Sequence, residues 1–445
     1  MKKITFVGTG YVGLVGGAGI SEFGHQVTCA DIDQNKIERL KAGEIPIYEP
    51  GLESLVKQNV AKGRLHFSHD VPKSIQNADI IFVAVGTPQG SNGEANLSAI
   101  ESVAKTIGEN LNGYKIICTK STVPIGTGKR IEEIIRSVNP NVDFDYVSNP
   151  EFLREGAAVK DFLHPDRVVI GTRTQKAIKV MGEVYRPLYI NETPIISTTV
   201  ETAEMIKYAA NAFLSLKISY INEIANLCEA VGADVQDVAR AMGLDGRISA
   251  KFLHPGPGYG GSCFPKDTHA LAATGQKNRS PLLTVEAAIK TNASQKVRMV
   301  DKLKRLMGGS FKGKTVAVLG LAFKPQTDDM REASSMVLME ALWKAGATVQ
   351  AYDPEAMEEC QRIYGARDDL SLVGTKESAL NGADALVVCT EWSQFRAPDF
   401  DLIAKTLSSK VIVDGRNLYD PILLKQRGFA YYGIGRGESI NKNVG

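Results

Sequence analysis

The chain has 445 residues, 43% of them hydrophobic and 23% charged, with a formal net charge of +2. That length exceeds one ordinary core and implies two or three domains. A charge so close to zero offers no electrostatic reason for a nucleic-acid or anionic-membrane partner, so any acidic ligand has to be met by local cations. The six cysteines, at positions 29, 118, 228, 263, 360 and 389, are scattered without a Cys-x-x-Cys pair or a Cys/His cluster, which argues against a zinc site and for reduced thiols in the cytoplasm. No apolar run approaches the roughly 20 residues of a membrane span, and Ile4 to Val7 is far too short for a signal peptide.

Lys3 to Val7 reads as a buried strand that runs straight into Gly8-Thr9-Gly10-Tyr11-Val12-Gly13, then a small-residue helix through Phe23. Gln26 to Ala30 is a second strand, ending at Asp31, 18 residues beyond Gly13. Strand, glycine triplet, helix, strand and terminal acid in that order are the dinucleotide-binding pattern: Gly8 makes the turn, Gly10 lets backbone approach a pyrophosphate, and Gly13 allows close packing of helix on strand. The helix N-terminus holds the phosphates, and Tyr11 and Val12 open it. Asp31 would accept from the adenosine ribose and selects NAD over NADP; Lys36 is counted with the cofactor residues although its charge would favour a 2′-phosphate.

Two further strands, Asp79 to Val85 and Lys115 to Thr119, run into Gly86-Thr87-Pro88 and Lys120-Ser121-Thr122. In an open parallel sheet, ligands lie beyond the carboxyl ends of the strands, so Thr87 and Thr122 are placed at the cofactor crevice. Tyr146 to Ser148 is another short strand, followed by Asn149 to Glu155. Glu151 and Glu155 are four apart and on a helix would share a face, either as a solvated surface or as an acid/base pair.

Thr199 to Val231 is the longest helical pattern, about 45 Å if fully helical. Lys207 and Asn211 interrupt its apolar stripe one turn apart, as a snorkelling lysine with a polar neighbour or as a functional pair. The stretch Gly258-Tyr-Gly-Gly-Ser-Cys-Phe-Pro-Lys-Asp267 then sets one thiol in an unusual place. Its glycines, with Gly256, predict a flexible loop that brings backbone close to a ligand, and Pro265 predicts the start of a helix. A cysteine just before a helix, with Lys266 nearby, is biased toward thiolate. Cys263 is therefore the candidate nucleophile, against the alternative of a small buried hydrophobe.

Helical sequence continues to about Met307. Beyond it, Lys314 to Leu319, Ala347 to Tyr352, Ala385 to Cys389 and Val411 to Val413 read as strands, with Ser334 to Lys344 as a helix. This is a second doubly wound α/β unit. Its first turn keeps Gly320 but replaces the remaining pattern with Phe323-Lys324-Pro325, which suits a nucleotide portion of a substrate, with Lys324 and Arg416 as phosphate cations, better than a second dinucleotide. The expected architecture is α/β: two doubly wound Rossmann-like domains joined by a long central helix and a helical middle domain. The boundaries are 1–198 for the NAD-binding unit, 199–308 for the middle domain with the cysteine loop, and 309–445 for the second Rossmann-like unit, suited to the nucleotide portion of a substrate.

Along nearly its whole length the chain resembles the nucleotide-sugar 6-dehydrogenases. The resemblance rests on the opening glycine turn, Val85 to Pro88, Lys120 to Thr122, Asn149 to Glu155, Glu204 to Asn211, Gly258 to Asp267, Phe323 to Glu332 and Asp414-Gly415-Arg416. Arg247-Ile248 with Lys251-Phe252-Leu253 looks like the UDP-glucose branch, as against GDP-mannose or UDP-N-acetylmannosamine enzymes. What the resemblance implies is oxidation of UDP-glucose to UDP-glucuronate with two NAD and one water, through a thiohemiacetal and a thioester on Cys263. Lys207 and Asn211 would then stabilise oxyanions, Asp267 with Thr122 would position a water, and Glu151 would be the base for hydrolysis. Glu155, Lys266 and Arg331 are implied as cofactor contacts. For the sugar nucleotide the resemblance implies Glu151, Phe152, Leu153, Lys207, Asn211, Phe252, Leu253, Tyr259, Gly260, Lys324 and Arg416, with Arg247 reaching from a second subunit of a homodimer built on the long helix. The rival expectations are a one-hydride dehydrogenase of the 3-hydroxyacid or 6-phosphogluconate type and a sugar-nucleotide-binding redox sensor.

Overall fold

The computed structural model describes residues 1–90 and 93–437. Residues 438–445, the end of the expected third segment, lie outside the described residues. The chain divides into two compact units, Met1–Ala210 and Asn211–Gly445. The boundary falls inside the long helix Val200–Val231, so that one continuous element carries Lys207 in the first unit and Asn211 in the second.

The first unit is built on an eight-stranded sheet. Its strands are β1 (Lys3–Val7), β2 (Gln26–Ala30), β3 (Leu65–Ser68), β4 (Ile80–Val83), β5 (Lys115–Thr119), β6 (Phe144–Ser148), β7 (Val168–Thr172) and β8 (Ile195–Thr198), in the order β3-β2-β1-β4-β5-β6-β7-β8. All neighbours are parallel except β6 and β7. Every residue of β4 and β5 is buried, as expected where helices cover both faces of a parallel sheet. One face packs Phe6, Phe82 and Leu14, with the Phe6 and Phe82 rings stacked at 4.6 Å; the other packs Ile81, Ile117 and Ile131. The strand order reverses at β1, between β2 and β4, and the glycine turn leaves β1 at that switch point.

The second unit holds a six-stranded parallel sheet: β9 (Thr315–Leu319), β10 (Thr348–Tyr352), β11 (Leu370–Leu372), β12 (Ala385–Val388), β13 (Val411–Asp414) and β14 (Ala430–Gly433), in the order β11-β10-β9-β12-β13-β14. The first six strands of the other sheet follow the same order, so both units are doubly wound. Ahead of this sheet come the rest of the long helix and the helices Val235–Gly243, Phe264–Lys277 and Leu283–Leu306. Ile221 and Ala225 of the long helix join Met299, Leu303, Val316 and Val318 in one core.

Sequence periodicity finds most of these elements within one or two residues at each end. It misses β3, β7, β8, β11, β14 and the helix Val235–Gly243, and with the strands the antiparallel step at β6 and β7. β8 is an exposed edge strand with no apolar run, and β11 is three residues long. Such segments carry little period-2 signal.

Glu204 ties the long helix to the first sheet. Helix Thr127–Val138 starts after Gly126, which has a φ of 94° and no capping side chain. Glu204 supplies the cap instead, accepting from Gly126 N at 2.7 Å and Gly128 N at 2.8 Å. Burial, opposed by these two N–H donors, pushes its carboxyl from 4.5 up to about 7. The folded chain thus binds this proton more tightly than the unfolded chain, and stability falls as pH rises from about 4.5 to about 7. Urea unfolding across that window is expected to show a flatter pH dependence for Glu204→Gln than for the parent chain. An unchanged slope would mean that Glu204 titrates normally.

Candidate active site

In the first unit the glycine turn is built as its spacing implies. Gly8 has a φ of 100°, and a Cβ there would come within 2.7 Å of the Ala84 carbonyl oxygen. A Cβ on Gly13 would lie 1.9 Å from the Gly8 carbonyl oxygen. Gly10 is different: its φ of −72° suits any residue, and nothing lies within 4 Å of a Cβ there. The open space beside Gly10 faces no protein atom, which fits a turn whose neighbour is a ligand. Helix Tyr11–Glu22 follows with no side-chain cap, leaving its first N–H groups for an anion. Tyr11 and Val12 pack on the core at its start.

Asp31 accepts from Thr9 N at 2.8 Å, Thr9 Oγ1 at 2.7 Å and Asp33 N at 3.1 Å, and Lys36 Nζ lies 3.5 Å away. Burial alone would raise its carboxyl, but these donors and the cation outweigh it and hold the group below its ordinary range. Lys36 thus serves Asp31 directly. The residues present fit a dinucleotide: a cradle open at Gly10, free helix N–H groups and an ionised acid at the end of β2.

Beyond β4 and β5, Thr87 Oγ1 donates to the Thr122 carbonyl at 2.9 Å and joins the two loops. Lys120, the residue after β5, is a buried lysine with no carboxylate within ion-pair distance among the described residues. Its Nζ reaches Asn149 Oδ1 at 3.0 Å and Tyr185 OH at 3.3 Å, and burial pushes it down to about 8.

The segment after β6 is not the helix on which Glu151 and Glu155 would share a face: Glu151 to Arg154 are loop, and the helix begins at Ala158. Glu151 is no surface carboxylate either. It is 6% exposed, its Oε2 accepts from Leu153 N at 2.5 Å, and its Oε1 lies 3.1 Å from Lys207 Nζ. Phe152 lies beside this pair, its ring centroid 5.4 Å from Lys207 Nζ and 3.6 Å from Arg167.

In the second unit Cys263 is the residue before helix Phe264–Lys277, with Pro265 second in the helix rather than first. The other five cysteines are buried; Cys263 is partly exposed. Asp267, one turn on, is 1% exposed and holds two donors, Asn211 Nδ2 at 2.6 Å and Lys266 Nζ at 2.6 Å. The cation next to Cys263 is therefore paired to Asp267.

The glycine loop before Cys263 is buried and pinned rather than flexible. Gly256 N donates to Asn222, Gln295 donates to Gly256 O, and Asn292 brackets Tyr259 with bonds of 2.8 and 3.0 Å. A Cβ on Gly260 would lie 2.4 Å from the Glu332 carbonyl oxygen, and one on Gly261 2.7 Å from the Phe323 ring. These glycines are required because another part of the same unit packs against them. The Phe264 ring, next in sequence to Cys263, packs on Phe252 and Tyr259 at about 6 Å.

Phe252 has a φ of 67° and Ser249 one of 65°. The strained loop is held by Lys217, whose Nζ donates to the carbonyls of Ile248, Ser249 and Lys251 at 3.0, 3.2 and 2.5 Å. Leu253 points into the core, whereas Arg247 is exposed and paired with Asp245. Arg416 spans Cys389 O at 2.8 Å and Phe323 O at 2.9 Å, with Glu391 at 3.0 Å, and Lys324 Nζ lies 5.1 Å from the Phe323 ring. Arg331 is bidentate on Asp329.

Asp353 ends β10 as Asp31 ends β2, but four backbone N–H groups and the Trp392 indole already fill its oxygens. The second sheet therefore offers no free ribose acceptor there. Sequence reasoning gave no role to Lys120 and Glu204, although both open segments on which the family resemblance rests, and it missed Lys217 and Glu49, a carboxylate described below, which lie in none of those segments.

Three segments of the chain match consecutive models of one family: residues 2–189 the NAD binding domain, 201–294 the central domain and 317–421 the UDP binding domain of the UDP-glucose/GDP-mannose dehydrogenase family. The chain belongs to that family. It is 52% identical to the UDP-glucose 6-dehydrogenase of Rhizobium meliloti (strain 1021), over 98% of this chain and 99% of that one. Identity to the UDP-glucose 6-dehydrogenase TuaD of Bacillus subtilis (strain 168) is 49%, over 98% and 94%. A UDP-glucose dehydrogenase structure from Pyrobaculum islandicum superposes with a TM-score of 0.91 at 35% identity, covering 98% of both chains. The nucleotide-sugar dehydrogenase resemblance and the pair of Rossmann-like sheets are borne out. Among the described residues no helix is long and apolar enough to cross a membrane, and no group of three metal-binding side chains occurs.

In this member of the family, Glu151→Ala is expected to leave Lys207 buried without its carboxylate and to cost about 3 kcal/mol of stability in denaturant unfolding. A change below about 1 kcal/mol would show that the pair is not isolated from solvent.

Proposed function

We propose that this chain is an NAD-dependent UDP-glucose 6-dehydrogenase that takes C6 from alcohol to carboxylate by removing two hydrides and adding one water. The names of the two curated relatives support the substrate, in preference to GDP-mannose or UDP-N-acetylmannosamine. The observation that carries the mechanism is Cys263, partly exposed before a 14-residue helix with Asp267 one turn on. The three-segment division at 198 and 308 is kept as a functional one: cofactor, catalytic centre, sugar nucleotide.

When bound, NAD supplies the hydride acceptor for each oxidation; the chain's own residues do the rest. Gly8, Gly10 and Gly13 admit the cofactor backbone, Asp31 takes the ribose, and Thr87, Thr122, Glu155, Lys266 and Arg331 complete the cofactor contacts. An alcohol dehydrogenase that stops at the aldehyde needs no nucleophile. Reaching the acid requires a tetrahedral carbon from which a second hydride departs, and Cys263 Sγ supplies it by adding to the aldehyde. The thiohemiacetal loses the second hydride to become a thioester, which water cleaves to regenerate the thiol.

Lys207 and Asn211, one helical turn apart, donate to the oxyanions formed at C6. Glu151 is the base for the hydrolytic water, already fixed by Lys207. Asp267, oriented by Asn211 and Lys266, holds a second water together with Thr122. Phe152, Leu153, Phe252, Leu253, Tyr259 and Gly260 form the sugar contacts, and Lys324 and Arg416 meet the diphosphate.

The long helix exposes Met205, Phe213, Tyr220, Leu227 and Val231, which lie along one face. We assign this stripe to a homodimer, with Arg247 reaching the partner's sugar site. The absence of paired cysteines supports a reducing cytoplasm. Phe213→Asp is expected to convert the dimer to monomer in sedimentation velocity, and a dimer that persists would move the interface elsewhere.

The test of the chemistry is Cys263→Ser with NADH absorbance and product analysis. The parent enzyme should yield two NADH per UDP-glucose. The variant should form no acid while retaining NAD and UDP-glucose affinities within about threefold. Normal turnover by the variant would remove the covalent step.

A further inference from the structure

Glu49 is a carboxylate that no motif singles out. It lies in the irregular segment before helix Leu52–Ala61, is 6% exposed, and has no cation within ion-pair distance among the described residues. Three donors satisfy it instead. Tyr11 OH donates to its Oε2 in a short hydrogen bond, Gly156 N donates to the same oxygen at 2.7 Å, and Ala158 N donates to Oε1 at 2.7 Å. These donors are 38, 107 and 109 residues away along the chain.

Their positions give the carboxylate its meaning. Tyr11 is the first residue of the helix that follows Gly10, where backbone N–H groups are open to an anion. Gly156 directly follows Glu155 in the loop that also carries Glu151. One buried carboxylate therefore joins the phosphate-binding end of the helix to the loop bearing both acids. Burial and the neighbouring carboxylates hold the Tyr11 phenol well above its ordinary range, so it remains a donor at any working pH. A purely structural carboxylate would be replaceable by apolar packing; this one selects the side chain that opens the cofactor helix.

We propose that Glu49 is a positioning residue for the dinucleotide: it fixes the Tyr11 end of the cofactor helix against the Glu155 turn, holding the crevice ready for the pyrophosphate. The inference rests on the NAD reading above. It goes beyond that reading because it assigns part of the cofactor affinity to Glu49, which is not among the cofactor contacts named there.

The test is a double-mutant cycle on Glu49→Gln and Tyr11→Phe, read as NAD affinity by calorimetry without sugar nucleotide, with UDP-glucose affinity and thermal unfolding measured alongside. Each single variant is expected to weaken NAD about tenfold, the order of one charge-assisted hydrogen bond. The double variant should be no weaker than Glu49→Gln, because both changes break one interaction. UDP-glucose affinity should stay within about twofold. Unchanged NAD affinity in the folded variants, or losses that multiply, would overturn the proposal. Should Glu49→Gln fail to fold, Tyr11→Phe, which keeps both backbone donors on Glu49, decides alone. Failure of the parent chain to bind NAD would instead sink the cofactor reading itself.

Discussion

A buried lysine must find a carboxylate or other acceptors, and a buried carboxylate must have donors. The long helix Val200–Val231 is where both requirements meet. Lys207 is neutralised by Glu151 at 3.1 Å in the first unit, and Asn211, one turn on, donates to Asp267 at 2.6 Å in the second. Those contacts fix the loop after β6 and the helix that begins beside Cys263. Glu204, a turn earlier, adds the cap on helix Thr127–Val138. Three successive turns of one helix thus hold the polar groups on which the proposed chemistry draws.

The same constraint explains why the site is rigid where its composition suggests freedom. Gly258, Gly260 and Gly261 pack so closely against Asn292, Glu332 and Phe323 that a Cβ at any of the three would clash. A nucleophile that must present its sulfur to one carbon through several steps gains from such fixed placement. Phe252, held at positive φ beside Phe264, and the lysine clamp on its loop have the same effect on the sugar side.

Much of the fold was legible in the sequence because local rules govern it. The glycine turn, Asp31 at the end of β2, the buried runs of β4 and β5, and the start of the helix after Cys263 all follow from spacing and residue type. What stayed hidden depends on contacts far apart along the chain. Glu49 meets Gly156 and Ala158 across more than a hundred residues, and Glu204 meets Gly126 across 78. Neither carboxylate differs from a surface acid until those donors are placed around it. Asp353 shows the converse: it occupies the position of a ribose acceptor, and only its five donors reveal that it has none of its capacity left over. The pinned loop before Cys263 belongs here too, since glycine forced by packing and glycine chosen for flexibility look alike in sequence.

The central claim is a transient carbon–sulfur bond at Cys263. Intact-protein and peptide mass spectrometry of acid-quenched enzyme, taken during turnover with NAD and UDP-glucose, tests it most directly. The account predicts an adduct of the sugar nucleotide confined to the peptide containing Cys263, absent when NAD is omitted. Turnover to the acid with no adduct at any quench time, or an adduct on a different residue, would contradict it.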